Sequence, residues 1–267
     1  MRLVLTYHAT RLQRLTREGC DLLSLHADLD WLADQGIAVL PLDDLLADPS
    51  IEGVAITLDD GTRIDGWPHL HPAMGLLPSM LQILQHAKRR LPRLCVSNFV
   101  IASPQARDVL ATHLVAELGQ SLMDADWWST AQASGLMQLE NHSWDHNHPL
   151  LPSSVQRENK RGNFLVIDSA EDAEAEIAVA SDVIGHALGR RPRYFAYPFG
   201  DVSPYLRDIW LPDRGPAIGL HAAFSTEPRA IRRDDDRWAL PRFVCGRDWC
   251  TDAQLAAIID QARRLGA

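Results

Sequence analysis

No stretch of this 267-residue chain is apolar for long enough to suggest a membrane-spanning helix. No dense Lys/Arg tract occurs, and 26 basic against 35 acidic residues leave a net charge of −9. Nucleic acid and anionic membrane surfaces are therefore not expected as partners. Cysteine is scarce: Cys20, Cys95, Cys245 and Cys250 form no C-x-x-C pair. A disulfide framework is not indicated in a chain this long, and unpaired, partly buried thiols are the expectation. No internal repeat or low-complexity linker divides the sequence. The opening apolar run, residues 3–7, is too brief for a signal-peptide core, so the sequence reads as cytoplasmic.

Hydrophobic residues make up 46% of the chain and charged residues 23%, ordinary values for a globular protein with a substantial core. Short apolar runs at residues 3–7, 37–40, 54–58, 94–102, 136–140, 194–197, 222–225 and 240–244 read as strands. Between them, residues 22–35, 76–90, 126–134, 170–188 and 251–265 read as helices. The 170–188 segment begins with acidic residues and ends at Gly189, which agrees with the helix dipole and with glycine termination. Strands alternating with helices predict a parallel sheet. The expected fold is α/β, a distorted or incomplete (β/α) barrel of about seven strands in a single domain, 1–267. Chemistry in such folds sits on loops leaving the C-terminal ends of strands. Asp59, Asp60, His142 and Tyr197 all fall at such positions. The irregular segment 148–167 after the histidines reads either as a lid or substrate wall, or as a solvated surface loop.

Two short strings carry the chemistry. Thr57-Leu58-Asp59-Asp60-Gly61 places adjacent carboxylates at the end of an apolar run. Neighbouring side chains leaving a strand diverge, so one Asp can bind a metal while the other faces a water, and Gly61 lets the backbone turn beneath them. An ordinary Asp-Asp-Gly turn is the competing reading. His142-Ser143-Trp144-Asp145-His146 offers two imidazoles four residues apart. They share a face if this segment starts a helix; otherwise they are two histidines in a polar loop. Together the strings supply two histidines and a carboxylate for a metal, with a second carboxylate to act as base.

These strings resemble motifs of the polysaccharide deacetylase family, the NodB-homology or carbohydrate esterase family 4 group. Residues 57–61 resemble its T-F-D-D-G motif with Leu in place of Phe, and residues 142–146 its H-[ST]-x-x-H motif. Phe195-Ala196-Tyr197-Pro198-Phe199-Gly200 resembles the third motif, and Asp248-Trp249 the fourth. The resemblance runs from Tyr7-His8 to about Trp249. It implies that Asp60, His142 and His146 bind a divalent metal, usually zinc. It also implies that Asp59 is the general base and that a backbone N–H at Tyr197 helps hold the oxyanion. Trp249 then lines the substrate site.

The sequence also departs from the pattern. Ala196 stands where the family usually carries an Arg beside the base, and Arg242 is the candidate substitute, its alternative being a surface ion pair. The late Leu-His that usually supplies the acid has no counterpart after Trp249; Leu220-His221 comes too early. His8, His71 and His148 remain unranked substitutes. Ser143 is expected to cap a helix start or steady a ligand. Trp144, a substrate-binding candidate, has packing as its stronger alternative, as does the pair Trp127-Trp128. The expected function is metal-dependent removal of an N-acyl group from an amino sugar or polysaccharide. The alternatives are a metal-independent hydrolase of small or cyclic amides and a non-catalytic carbohydrate-binding relative. The expected partner is a carbohydrate or small amide; oligomeric state is not legible.

Overall fold

The computed structural model describes residues 1–151 and 162–266. Residues 152–161, half of the 148–167 segment read as a lid or a solvated loop, therefore lie outside the described residues. The described residues form nine strands: β1 (Arg2–Tyr7), β2 (Gly53–Leu58), β3 (His69–His71), β4 (Gly75–Leu77), β5 (Val96–Val100), β6 (Met137–Asn141), β7 (Tyr194–Ala196), β8 (Ala222–Phe224) and β9 (Phe243–Val244). Seven of them form one parallel sheet in the order β8-β7-β6-β5-β2-β1-β9, and β3 and β4 pair separately as an antiparallel hairpin.

The sheet curls back on itself. Leu240, just ahead of β9, bridges Phe224 of β8, while β9 itself pairs with β1 at the other edge. The result is the incomplete α/β barrel that alternating strands and helices predict. Every residue of β1 and β2 is buried, which is why both read as nearly unbroken apolar runs. On the Asp21–Asp34 helix, Leu22, Leu25, Leu29 and Leu32 recur at helical spacing and are all buried in the main core. Among the described residues, no helix is long and apolar enough to cross a membrane.

Local chemistry moves several boundaries. The helix expected from residue 76 starts at Met80, because Ser79 and Gln82 form a reciprocal capping box and residues 75–77 are spent in the hairpin. The run 37–40 makes an isolated bridge from Val39 to Val54 and goes no further, since Pro41 follows and begins a short helix. The Pro104–Leu118 helix was absent from the sequence reading. Its signals are nevertheless regular: a Ser103 cap, proline in the first turn and left-handed Gly119 at its end. Residues 170–188 are helical as expected, with a π turn over Glu174–Ala178 in their middle.

Because the seven strands are parallel, their C-terminal ends share one rim. His8 leaves β1, Asp59 and Asp60 leave β2, Ile101 leaves β5, His142 leaves β6 and Tyr197 leaves β7.

Candidate metal centre and its cleft

Asp60 is held in the left-handed region at φ +75, a conformation Asp tolerates better than most residues, and Gly61 follows at φ +69. A Cβ on Gly61 would lie 2.5 Å from Val100 Cγ1 and 2.9 Å from its Cα, so the turn needs glycine for space as well as for angle. These two residues swing the Asp60 carboxyl away from Asp59 and toward the histidines.

The two imidazoles converge by a different route from the helical one. Residues 142–147 are not helical, and Ser143, His146 and Asn147 have φ of +70, +64 and +45. Short side chains carry this loop. Asn141 Oδ1 accepts from Ser143 N–H at 2.7 Å, and Ser143 Oγ accepts from His146 N–H at 2.8 Å. Ser143 is thus a brace inside the loop and caps no helix. Beneath it, Glu176 Oε2 accepts from Trp144 N–H at 3.2 Å and from Asp145 N–H at 3.4 Å. Glu176 sits in the π turn, where Ile177 C=O also accepts from Asn141 Nδ2 at 2.8 Å. A π turn releases backbone groups from the regular ladder. Here the irregularity seats the histidine loop, and nothing in the helical periodicity of residues 170–188 announces it.

Asp60 Oδ1, His142 Nε2 and His146 Nε2 all lie within 4.8 Å of one another. Asp60 Oδ1 is 3.7 Å from His142 Nε2 and 3.8 Å from His146 Nε2. Bonds of zinc length in a tetrahedral set put ligand atoms about 3.4 Å apart, so small side-chain movements close these three on one ion. The tautomer agrees. His142 Nδ1 is 2.9 Å from the Ala196 carbonyl, which can only accept, so Nδ1 carries the proton and Nε2 offers its lone pair. Burial lowers the His142 pKa; burial and then the neighbouring imidazoles lower that of His146 well below its usual value. Both rings are therefore neutral at pH 7, as ligands must be. The donor set fits a divalent cation.

Asp59 is 3% exposed and is clamped by Arg242, which is fully buried. Arg242 Nη1 reaches Asp59 Oδ1 at 2.8 Å and Nη2 reaches Oδ2 at 2.9 Å, the bidentate pairing a guanidinium suits. Its remaining bonds go to Thr57 Oγ1 and the Ser225 carbonyl, and its cation lies 5.3 Å from the Phe99 ring centre. Arg242 thus arrives from just before β9 to the place left open by Ala196. Burial alone would raise the Asp59 pKa, but Arg242, then His142 and His8, outweigh it and bring it to about 2. Asp59 Oδ2 also faces His8 Nε2 and His142 Nε2, each at 4.0 Å. His8 is positioned through its backbone, whose N–H donates to Asp21 Oδ2 at 2.6 Å.

The cluster opens into a cleft of about 350 Å³. Tyr197 lines it, yet its N–H donates to the Phe224 carbonyl at 3.0 Å and its hydroxyl to the Trp238 carbonyl at 2.8 Å. Its amide is therefore committed to the sheet and is not available to an oxyanion. Two residues on, the N–H of Phe199 has no partner among the described residues, and Phe199 stands at the cleft with φ +60 and its ring 4.5 Å from that of His146. The next residue, Gly200, would place a Cβ 2.0 Å from Thr226 Oγ1, so it too is fixed as glycine.

Two substrate-binding candidates, Trp144 and Trp249, do not line the cleft. Trp249 is 1% exposed, packs edge-on to Tyr7 with ring centres 5.5 Å apart, and donates to Asp28 Oδ2 at 2.8 Å. Trp144 packs against the main core. Both indoles are taken up by packing in the main core. Trp127 and Trp128 are likewise buried. Of the unranked histidines, His8 and His148 line the cleft; His71 lies in the hairpin, its Nδ1 accepting from Ala73 and Met74.

Three comparisons bear on this arrangement. A family model described as polysaccharide deacetylase matches residues 47–210. No curated protein matches the chain by sequence. Among solved structures, the Streptococcus pyogenes deacetylase PplD, determined in complex with acetate, aligns with TM-score 0.64 at 16% identity, over 96% of each chain. IcaB from Ammonifex degensii aligns with TM-score 0.62 at 21% identity, covering 96% of this chain and 95% of its own. A de-N-acetylase from Aggregatibacter actinomycetemcomitans aligns with TM-score 0.61 at 16% identity, covering 96% and 99%. At these identities the likeness establishes a shared fold.

Proposed function

Since the chain belongs to the polysaccharide deacetylase family, a group of hydrolases acting on amide bonds, we propose that it removes an N-acyl group from an amino-sugar substrate, with residues 1–267 as one catalytic domain. The observation that carries this reading is the convergence of Asp60, His142 and His146 beside Asp59, whose two oxygens are held by a buried arginine. Asp60 Oδ1 and the two Nε2 atoms would hold the cation, and zinc is the proposed ion, since the chemistry needs charge and an open position but no redox change. Bound there, a divalent cation polarises the amide carbonyl and lowers the pKa of a water toward ~7.

The chain's own residues do the rest. Asp59 faces the attacking water and takes its proton as the C–O bond forms. With a pKa near 2, Asp59 is not a group that keeps a proton, so the proton must move on. His8 Nε2, 4.0 Å from Asp59 Oδ2, is placed to pass it to the leaving amine as the C–N bond breaks. His8 is thus the proposed acid in place of the missing Leu-His. Arg242 acts through Asp59, holding it charged and oriented. The N–H of Phe199, in place of that of Tyr197, is the proposed backbone donor to the oxyanion.

The intact ligand set supports this reading over a metal-independent hydrolase or a non-catalytic module. The test is acetate release from N-acetylglucosamine oligosaccharides by zinc-loaded protein. Release that stops on chelation and returns with zinc is the expected result. Release unaffected by chelation, or none from any N-acyl amino sugar, overturns it.

A further inference from the structure

The cleft has two unlike walls. Toward β1 and β9 it presents His8, Thr226 and Arg247. Toward the Pro104–Leu118 helix it presents Ile101, Leu110, Leu114 and Met123, with Thr62, His113 and His148 as polar groups among the described residues. The apolar wall begins at the metal cluster, because Ile101 directly follows β5 and its N–H points to the Asp60 carbonyl at 3.5 Å. It is also a fixed surface: Ile101, Leu110 and Met123 are 2%, 7% and 4% exposed and pack as one cluster, with Leu114 against it. Leu110 and Leu114 lie one helical turn apart on a shared face, so the wall extends roughly 6 Å along the helix.

Sugar hydroxyls set against Ile101, Leu110, Leu114 and Met123 themselves would lose water and gain no partner, the polar groups near them being those of Thr62, His113 and His148. Among the described residues no tryptophan lines the cleft, and the exposed aromatic ring there is that of Phe199, beside His146. An acetyl methyl covers a small part of such a wall. The direction of the reaction decides what covers the remainder. If His8 delivers the proton, the amine departs toward the polar side, and the acyl substituent on the reacting carbon points the other way, toward Ile101 and the helix.

We propose that the site takes N-acyl groups longer than acetyl, a linear aliphatic chain of several carbons lying along Ile101, Leu110, Leu114 and Met123. The inference rests on the deacylase reading above and names the acyl side of its substrate. Hydrolysis adds one water: the C–O bond forms, the C–N bond breaks, the amine receives the proton, and a short fatty acid and a free amino sugar leave.

Two measurements on zinc-loaded protein test it. The first is kcat/KM for N-acetyl-, N-butyryl- and N-hexanoylglucosamine. The second is calorimetric affinity for the matching acids, acetate, butyrate and hexanoate. Each methylene buried against the wall is expected to improve both by about fourfold, and Leu114→Asn should flatten the trend. An acetyl amide hydrolysed as well as or better than the longer ones, with acids bound equally, overturns the inference and leaves the deacylase reading standing. Acid affinity that climbs with chain length while no amide is cleaved upholds the wall and overturns the activity.

Discussion

Replacing Arg242 with Met would leave Asp59 charged, 3% exposed and without its guanidinium. Against the opposing effect of burial, Arg242, with smaller contributions from His142 and His8, lowers the Asp59 pKa from the ordinary 3.8 to about 2. At 1.36 kcal/mol per pKa unit, that depression corresponds to about 2 kcal/mol of stability. Because the folded-state pKa is the lower one, this contribution is complete above the unfolded value near 3.8 and disappears as pH falls through about 2. Breaking one side of a buried pair costs more than the net pairing, on the order of 3–5 kcal/mol, since a desolvated charge is left alone. Urea unfolding at pH 7 of the wild type, Arg242→Met, Asp59→Asn and the double variant closes a thermodynamic cycle. The account expects the arginine variant to lose about 3–5 kcal/mol, and the double variant to be little worse than the poorer single one. That corresponds to a coupling energy of about 2 kcal/mol or more. Losses that add to within about 0.5 kcal/mol would refute the claim that these side chains form one buried unit.

Asp59→Asn should retain one bound zinc yet lose at least about 100-fold in kcat, measured by acetate release; unchanged turnover removes it as the base. Glu176→Ala strands the N–H groups of Trp144 and Asp145 and should cost about 2–4 kcal/mol. Calorimetric melting checks this, and Glu176→Gln, which keeps an acceptor oxygen, should recover much of the loss. Trp249→Phe deletes the bond to Asp28 and should lower stability by about 1–2 kcal/mol while KM for the oligosaccharide stays unchanged; a raised KM would return that indole to the substrate site.

The parallel strands were legible because burial on both faces writes them as unbroken apolar runs, as in β1 and β2. The candidate ligands were legible because their types and spacing are chemically restrictive. How they converge was not. The histidine pair reads as one face of a helix, but left-handed Ser143 and His146 bring the rings together through a loop that depends on Glu176, more than thirty positions along the chain. Arg242 was a candidate because of a gap at Ala196, and its reach to Asp59 depends on the sheet curling until residues ahead of β9 meet β8. Trp144 and Trp249 adjoin site residues in sequence, but only the packing shows both indoles against the core, the reading the sequence already favoured for Trp144. Tyr197 lies two residues from the proposed donor, and only strand pairing shows that its own amide is already occupied.

The central claim is that Asp60, His142 and His146 close on a single cation. Crystals of the protein grown with zinc, with anomalous data collected on either side of the zinc absorption edge, test it most directly. The account predicts one peak per chain, within about 2.0–2.2 Å of Asp60 Oδ and both Nε2 atoms, with Asp59 outside the ligand set. No peak at that position, or an ion ligated by Asp59 in place of Asp60, would contradict it.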